Sequence, residues 1–269
     1  MTETKQKAKY WDTLAKNSAR ATRFDDLMAE QYRRVHLNLL SRWAEVRGSE
    51  MILKTDLFAE AVHPNRAFLW EILKTNNNVV GIDISAEIAS LAKMRAAQHC
   101  AGSPGEYLSS DVRKLSFGNS SFDLIISDST LDHFQHEEDI VTALSELSRV
   151  LKPGGTLIIT MDNKSNFTEP LFRIWILLGL SPFFIGKTYS IKELKRALDR
   201  VGLRVMDTTA IMHNPRFCTK IIITLLRRIA PQRFDGLIRK TLDFFDSLER
   251  RRTRYLTAQF IAAKAVKTP

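Results

Sequence analysis

The chain has 269 residues, 44% of them hydrophobic and 26% charged, the balance of a soluble globular protein rather than a disordered or fibrous one. Its net charge of +10 is uneven: Arg216 to Arg254 holds eleven Lys/Arg against four Asp/Glu, a net of +7. Such a stretch meets nucleic acid, an anionic membrane surface or an acidic substrate, or it is simply a solvated helix face. Met1–Lys9 carries no apolar run, so a secretory signal is not expected. Cys100 and Cys218 lie far apart in no metal-like spacing and read as reduced thiols of a cytoplasmic protein.

In chain order, the first fifty residues read as helices. Tyr10 and Trp11 open an aromatic-bearing segment, and Leu27, Tyr32, Val35, Leu39, Leu40 and Trp43 recur at three- and four-residue steps. Met51–Leu53 is a short apolar run, followed by a loop expected over Thr55–Asn65 and a helix over Arg66–Lys74. Asn78–Ser85 reads as a buried strand ending in an acid, with Ser85 placed to cap a helix over Ala86–Cys100. Glu106–Asp111 and Phe122–Ser127 read as further strands. The amphipathic Glu137–Leu151 is stopped by Lys152-Pro153-Gly154-Gly155, and Thr156–Met161 reads as the next strand. Ser190–Glu193 is a capping box opening a helix to about Val201; Leu203–Met212 and Tyr255–Val266 read as strands, with helices over Cys218–Ile229 and Phe234–Arg250 between them.

Apolar strands alternating with helices imply a parallel sheet covered on both faces, and right-handed crossovers make it doubly wound. The expected fold is a doubly wound, Rossmann-like α/β sheet, mostly parallel with an antiparallel edge strand, plus N-terminal helices and a helical cap. The expected division is a helical lid over 1–48, the sheet domain over 49–163 and 190–269, and cap insertions over 164–189 and 214–254. Ligands of such sheets bind beyond the carboxyl ends of the strands, so the strand-end residues are the candidates.

A carboxylate after the second strand can accept both hydroxyls of a ribose, and Asp83 stands there. One after the third can accept an adenine amino group while the next N–H reaches a ring nitrogen; Asp111 and Val112 stand there. With these acids, VVGIDIS (79–85), SSDVRKLSFGNSSFDLIIS (109–127) and LSRVLKPGGTLIIT (147–160) make the sequence resemble the class I S-adenosylmethionine-dependent methyltransferases. The resemblance covers residues 50 to 163, and more weakly the last two strands, which in that family form an antiparallel hairpin. It implies S-adenosylmethionine as cofactor, with Asp83 and Ile84 at the ribose, Asp111 and Val112 at the adenine, and Ser127 and Asp128 near the methionine moiety.

In one place the sequence departs from that family. The glycine-rich turn expected after the first strand is here Leu53-Lys54-Thr55-Asp56-Leu57-Phe58-Ala59-Glu60-Ala61, without glycine. Either Thr55, Asp56 and Leu57 replace it, with Asp56 meeting the methionine ammonium, or the pocket is partly closed and the protein is a non-catalytic relative.

Methyl transfer gains mostly from proximity and orientation, and a base helps where the nucleophile carries a proton. His133 is the candidate base, with Asp132 to orient it; a metal at His133, His136 and Asp132 is not expected, for want of a third His or Cys. Asn163, Tyr189 and His213 are candidate substrate contacts, and Tyr10 and Trp11 a candidate lid. Leu171–Ile185, with Trp175, Phe183 and Phe184, and Phe217–Ala230, with Lys220, are apolar but too short or broken to span a bilayer. They fit a lid over a small lipophilic acceptor, a docking surface on a membrane, a homodimer interface or a plain helical core. A nucleic-acid substrate is disfavoured, since no base-flipping motif, catalytic Cys motif or appended RNA-binding module is present. A degenerate, non-catalytic or membrane-surface protein of the same fold is the alternative to an enzyme.

Overall fold

The structure, a computed structural model, describes residues 3–21, 26–44, 46, 48–76, 78–100, 105–179, 186–230 and 233–268. Its frame is a seven-stranded sheet: β1 (Ile52–Thr55), β2 (Val79–Asp83), β3 (Glu106–Ser109), β4 (Phe122–Asp128), β5 (Leu151–Asp162), β6 (Leu203–Ile211) and β7 (Phe260–Lys267). The spatial order is β3-β2-β1-β4-β5-β7-β6. The first five strands pair in parallel, while β7 runs antiparallel to both β5 and β6. The outermost strand is therefore β6, and the antiparallel strand sits one place inside it.

Helices cover both faces: α1 (Glu3–Ala21), α2 (Asp26–Trp43), α3 (Phe58–Val62), α4 (Leu69–Leu73), α5 (Ala86–His99), α6 (Glu137–Val150), α7 (Glu169–Leu177), α8 (Ile191–Arg200), α9 (Arg216–Ile229), α10 (Asp235–Ser247) and α11 (Arg254–Thr257). Successive strand residues feed opposite cores, as a pleated strand requires. Ile52, Val79, Leu124, Ile126 and Ile158 join a cluster with α1 to α5, whereas Leu53, Val80, Ile82, Ile125, Leu157 and Ile159 pack against α6 and α8. A smaller third cluster joins Leu27 of α2 to Ile223 of α9 and Ile238 and Leu242 of α10.

Local signals act where expected. The Ser85 hydroxyl accepts the Ile88 N–H at the start of α5, and both halves of the Ser190–Glu193 capping box form at α8. Four expectations need correction. The Thr55–Asn65 loop contains α3, a helix too short to announce itself by periodicity. Strand β3 ends at Ser109, so Asp111 stands two residues past it. The segment from Tyr255 starts as α11, and the strand begins only at Phe260. The Lys152–Gly155 breaker does not precede the strand but bulges within it: β4 pairs Phe122 with Leu151 and then Leu124 with Thr156.

Gly81 shows how the sheet constrains the site beyond it. A Cβ there would lie 2.8 Å from Leu57 Cδ2 and 3.2 Å from Tyr107 Cδ1, with Leu57 fully buried in the loop after β1. Gly81→Ala is expected to destabilise the chain by ~1–3 kcal/mol through overpacking, read as a lower denaturant midpoint at unchanged slope.

Candidate active site

Strands β1, β2 and β4 end in register, with Thr55 opposite both Ile82 and Ser127, and Asp83 opposite Ser109. A cavity of about 480 Å³ opens beyond these ends, where the connecting loops part. Thr55, Asp56, Asp83, Ile84, Asp111 and Val112 line it, as does His133, and α1 closes one side with Lys7, Tyr10 and Trp11. The sequence candidates thus make up half of the wall; Gln6, Lys7, Phe58, Ile82, Ser110, Thr130, Phe134, Gln135 and His136 complete it.

The loop after β1 is held by charge. Lys54 lies fully buried in the apolar β1, where its Nζ donates to the Asp56 carbonyl and, at 3.1 Å, to Glu60 Oε2 on α3. Burial works against the ammonium, but Glu60 and Asp56 outweigh it and raise its pKa. Asp56 has a φ of 66°, the left-handed region that Asp tolerates better than most side chains. Its Oδ1 accepts the Phe58 N–H, and the Leu57 N–H donates to Asp83 Oδ2 at 3.0 Å. Leu57 is thus a backbone brace on Asp83 and does not line the cavity.

Asp83 is the floor of the site. Its other oxygen accepts the Ser85 N–H at 2.9 Å. Burial nevertheless lifts its pKa to about 6, and burial together with the nearby Asp83 carboxylate raises Asp56 well above the usual range. Lys54 and Glu60 offset one another, so two desolvated carboxylates remain without a full counter-charge. That acceptor set suits a ligand with hydroxyls at one end and positive charge at the other.

Past β4 the geometry corrects the expectation for Ser127 and Asp128. Ser127 is fully buried and accepts from the Thr55 hydroxyl, and neither it nor Asp128 lines the cavity. Asp128 accepts from Tyr32 Oη at 2.8 Å, Thr160 Oγ1 at 2.6 Å and His36 Nε2 at 3.1 Å. Burial opposes its charge, but His36, Lys54 and the Thr160 bond hold its pKa below the carboxylate range. The His36 Nδ1 faces the Tyr32 carbonyl, so both ring nitrogens face oxygen atoms. Asp128 therefore anchors α2 to the sheet.

The turn Leu131–His133 follows. Asp132 is fully buried, its Oδ2 accepting the Ser129 hydroxyl and the Asp162 N–H, while His133 faces the cavity with its ring 4.7 Å from Trp11. Backbone bonds from Gly186 to the Asp132 carbonyl and from Lys187 to Phe134 strap the turn. Any Cβ on Gly186 would fall 2.1 Å from the Phe134 carbonyl oxygen, so the strap requires glycine there. Asp111 is gripped by Arg113, whose Nε and guanidinium NH2 reach both carboxylate oxygens and whose NH1 holds Asp139 at 2.7 Å.

Four expected substrate contacts lie away from the cavity. Asn163 donates to the carbonyls of Tyr255 and Ala258, and His213 bonds Thr257 Oγ1 and the Ala210 carbonyl. Tyr189 is buried in the α6/α8 core, and Trp175 sits half-buried on α7. Backbone carbonyls and the Thr257 hydroxyl, rather than a ligand, use the polar groups of Asn163 and His213. Phe183 and Phe184 lie outside the described residues, as do the side chains of Phe217 and Lys220. Lys54, Tyr32 and His36 were not singled out in the sequence. A lysine inside Ile52-Leu53-Lys54, six residues before Glu60, is the one signal that pointed to any of them. Among the described residues no group of three His, Cys, Asp or Glu is placed to hold a metal.

Residues 65–159 match the family model described as a methyltransferase domain. A ubiquinone biosynthesis O-methyltransferase from Chelativorans sp. is 28% identical over 145 residues, 51% of this chain and 54% of that protein. The O-methyltransferase cnsE of Penicillium expansum is 28% identical over 146 residues, 54% of this chain and 51% of that protein. The chain thus spans about half the length of these curated relatives. The crystal structure of a methyltransferase from Methanosarcina mazei superposes with a TM-score of 0.57 at 17% identity, covering 86% of this chain and 97% of that one. Fold and match agree: residues 65–159 are similar to a methyltransferase domain, and the chain shares its seven-stranded Rossmann-like sheet with solved methyltransferases.

The buried pair beneath the site is open to a double-mutant test. Lys54→Met strands Glu60 in the core and is expected to cost ~3–5 kcal/mol, whereas Lys54→Met with Glu60→Leu should recover most of that loss. Equilibrium denaturation of the two singles and the double reads the coupling.

Proposed function

We propose that the protein transfers a methyl group from S-adenosylmethionine to a small, apolar acceptor. The observation that carries this reading is the cavity at the strand ends, with desolvated Asp56 and Asp83 on its floor and an aromatic wall opposite. Its volume of about 480 Å³ lies in the range of small-molecule sites. In this reading Asp83 and Ile84 hold the ribose, and Asp111 and Val112 the adenine, the Arg113 clasp fixing the carboxylate's orientation. Asp56 and Thr55 hold the methionine end. When bound, S-adenosylmethionine supplies an electrophilic sulfonium methyl.

Tyr10, Trp11, Phe58 and His133 form the wall against which the acceptor lies; their packing, with Trp11 5.9 Å from Phe58, excludes water and favours an apolar ring or chain. His133 is the group placed to take the acceptor's proton. Asp132 serves it by fixing the turn through Ser129 and Asp162. Residues 1–48 act as a helical lid anchored at Asp128, 49–163 and 190–269 as the transfer domain, and 164–189 and 214–254 as the cap. A carboxylate-lined floor repels a phosphate backbone, which speaks against nucleic acid as acceptor. The non-catalytic alternative drew on the glycine-free loop; the left-handed Asp56 and its braces to Asp83 support a working pocket instead.

Calorimetric titration with S-adenosylhomocysteine is expected to show one site, and Asp83→Ala to weaken it at least ~10-fold. No heat with either S-adenosyl compound in the unsubstituted protein would refute the reading. The raised pKa of Asp83 adds a pH signature. Between about pH 4, where the unfolded group titrates, and about pH 6 the folded apo-protein holds the extra proton. Its stability from this group therefore falls as pH rises across that window, while cofactor affinity rises as the accepting carboxylate forms. Asp83→Asn should flatten both trends.

A further inference from the structure

The cap turns its apolar side outward. On α9, Ile221, Ile222, Leu225 and Ile229 are 49–76% exposed, while Ile223 is buried in the third core cluster and Leu226 packs against it. On α7, Leu171, Ile174 and Leu177 are exposed at three-residue steps. The two helices meet at their starts, where Leu171 and Phe172 share a small pocket with Pro215 and Cys218. On α10, Leu237 and Phe244 flank Lys240 on an exposed face. A surface helix ordinarily hides this stripe. Among the described residues no helix is long and apolar enough to cross a membrane.

The charges around these helices are sorted as well. All four acids between residues 216 and 254 are engaged by arginine: Asp235 by Arg227, Asp243 and Asp246 by Arg34, and Glu249 by Arg42. Among the described residues, exposed Arg228, Arg233, Lys240, Arg250, Arg251 and Arg252 have no carboxylate partner. The apolar stripe thus has a cationic border whose acids are already paired with arginines at the surface.

We propose that the outer face of α7, α9 and α10 docks on an anionic lipid surface, the Ile and Leu side chains entering the headgroup boundary and the arginines meeting lipid phosphates. A bilayer with acidic headgroups satisfies both halves of the face. A second copy of the chain would cover the stripe but set one cationic border against another, and nucleic acid would neutralise the border but leave the stripe in water. This surface is separate from the cavity, and the proposal does not depend on methyl transfer.

Flotation of the full chain with phosphatidylcholine vesicles, with and without phosphatidylglycerol, tests it. Binding is expected to the mixed vesicles at low salt, to weaken with added salt, and to be weaker still on neutral vesicles. Ile222→Gln with Leu225→Gln and Ile229→Gln should abolish flotation. Arg250→Ala with Arg251→Ala and Arg252→Ala should lower partition by up to roughly a hundredfold. Both sets of side chains are exposed, so melting temperature and S-adenosylhomocysteine titration should stay unchanged. Failure of the unsubstituted chain to float with anionic vesicles overturns the proposal, as does undiminished flotation of the apolar variant. A dimer in sedimentation that the apolar variant dissolves, with no vesicle binding, assigns the face to a second copy and likewise overturns it.

Discussion

The buried contact between Lys54 and Glu60 is the constraint on which the site rests. A lysine in the middle of an apolar strand is tolerable only with a partner, and Glu60 supplies it from α3, the first helical turn after the loop. The same ammonium holds the Asp56 carbonyl, so the pair fixes not only a charge but also the path of the chain between strand and helix. That path leaves the Leu57 N–H aimed at Asp83 and the Asp56 carboxylate at the cavity. A glycine-rich turn achieves a close, left-handed approach by having no side chain; here an ion pair beneath the turn and an aspartate at φ 66° achieve it with side chains present. The substitution has a chemical consequence. A glycine loop is neutral, whereas this one adds a buried acid next to Asp83, and burial raises the pKa of both.

A second anchor lies at the end of β4. Asp128 collects Tyr32 and His36 from α2 and Thr160 from β5 in one buried cluster, with Arg66 stacked on Tyr32 at 4.0 Å. At the other end of the N-terminal segment, Asp12 of α1 accepts from Ser85, the cap of α5, and Trp11 rests on His133 and Phe58. The first two helices are therefore attached at both the floor and the rim of the site. A change in how α1 sits alters the wall of the cavity without any shift in the strands.

The strand ends were legible because they obey local rules: apolar runs stopped by an acid, Ser85 capping the helix that follows, and a parallel sheet that opens at its carboxyl edge. Asp83, Asp111 and His133 lie on the wall for that reason. What failed were the readings of polar side chains whose partners lie far away in sequence. Asp128 bonds residues 92 and 96 positions away, and Asn163 bonds carbonyls more than ninety positions away. A polar residue after a strand reads the same whether it will meet a ligand or a carbonyl, so Ser127, Asn163 and His213 looked like site residues and proved to be fastenings. Helix α3 was hidden for a different reason, since five residues are too few to display a 3.6-residue period.

The apolar inserts were legible as helices but not as faces, because periodicity reveals a stripe without saying which way it turns. Orientation came from the third core, where Ile223 is buried and its neighbours Ile221, Ile222 and Leu225 are left outside. The distribution of charge then separates two roles that the net value of +10 confounds. The cavity is lined by Asp56, Asp83 and Asp111 together with Lys7, and a positive surface elsewhere does nothing to steer a cationic ligand toward those acids. Binding there must come from the local carboxylates and the shape of the wall. The cationic border, remote from that floor and with its own acids already paired, is left to act on something outside the molecule.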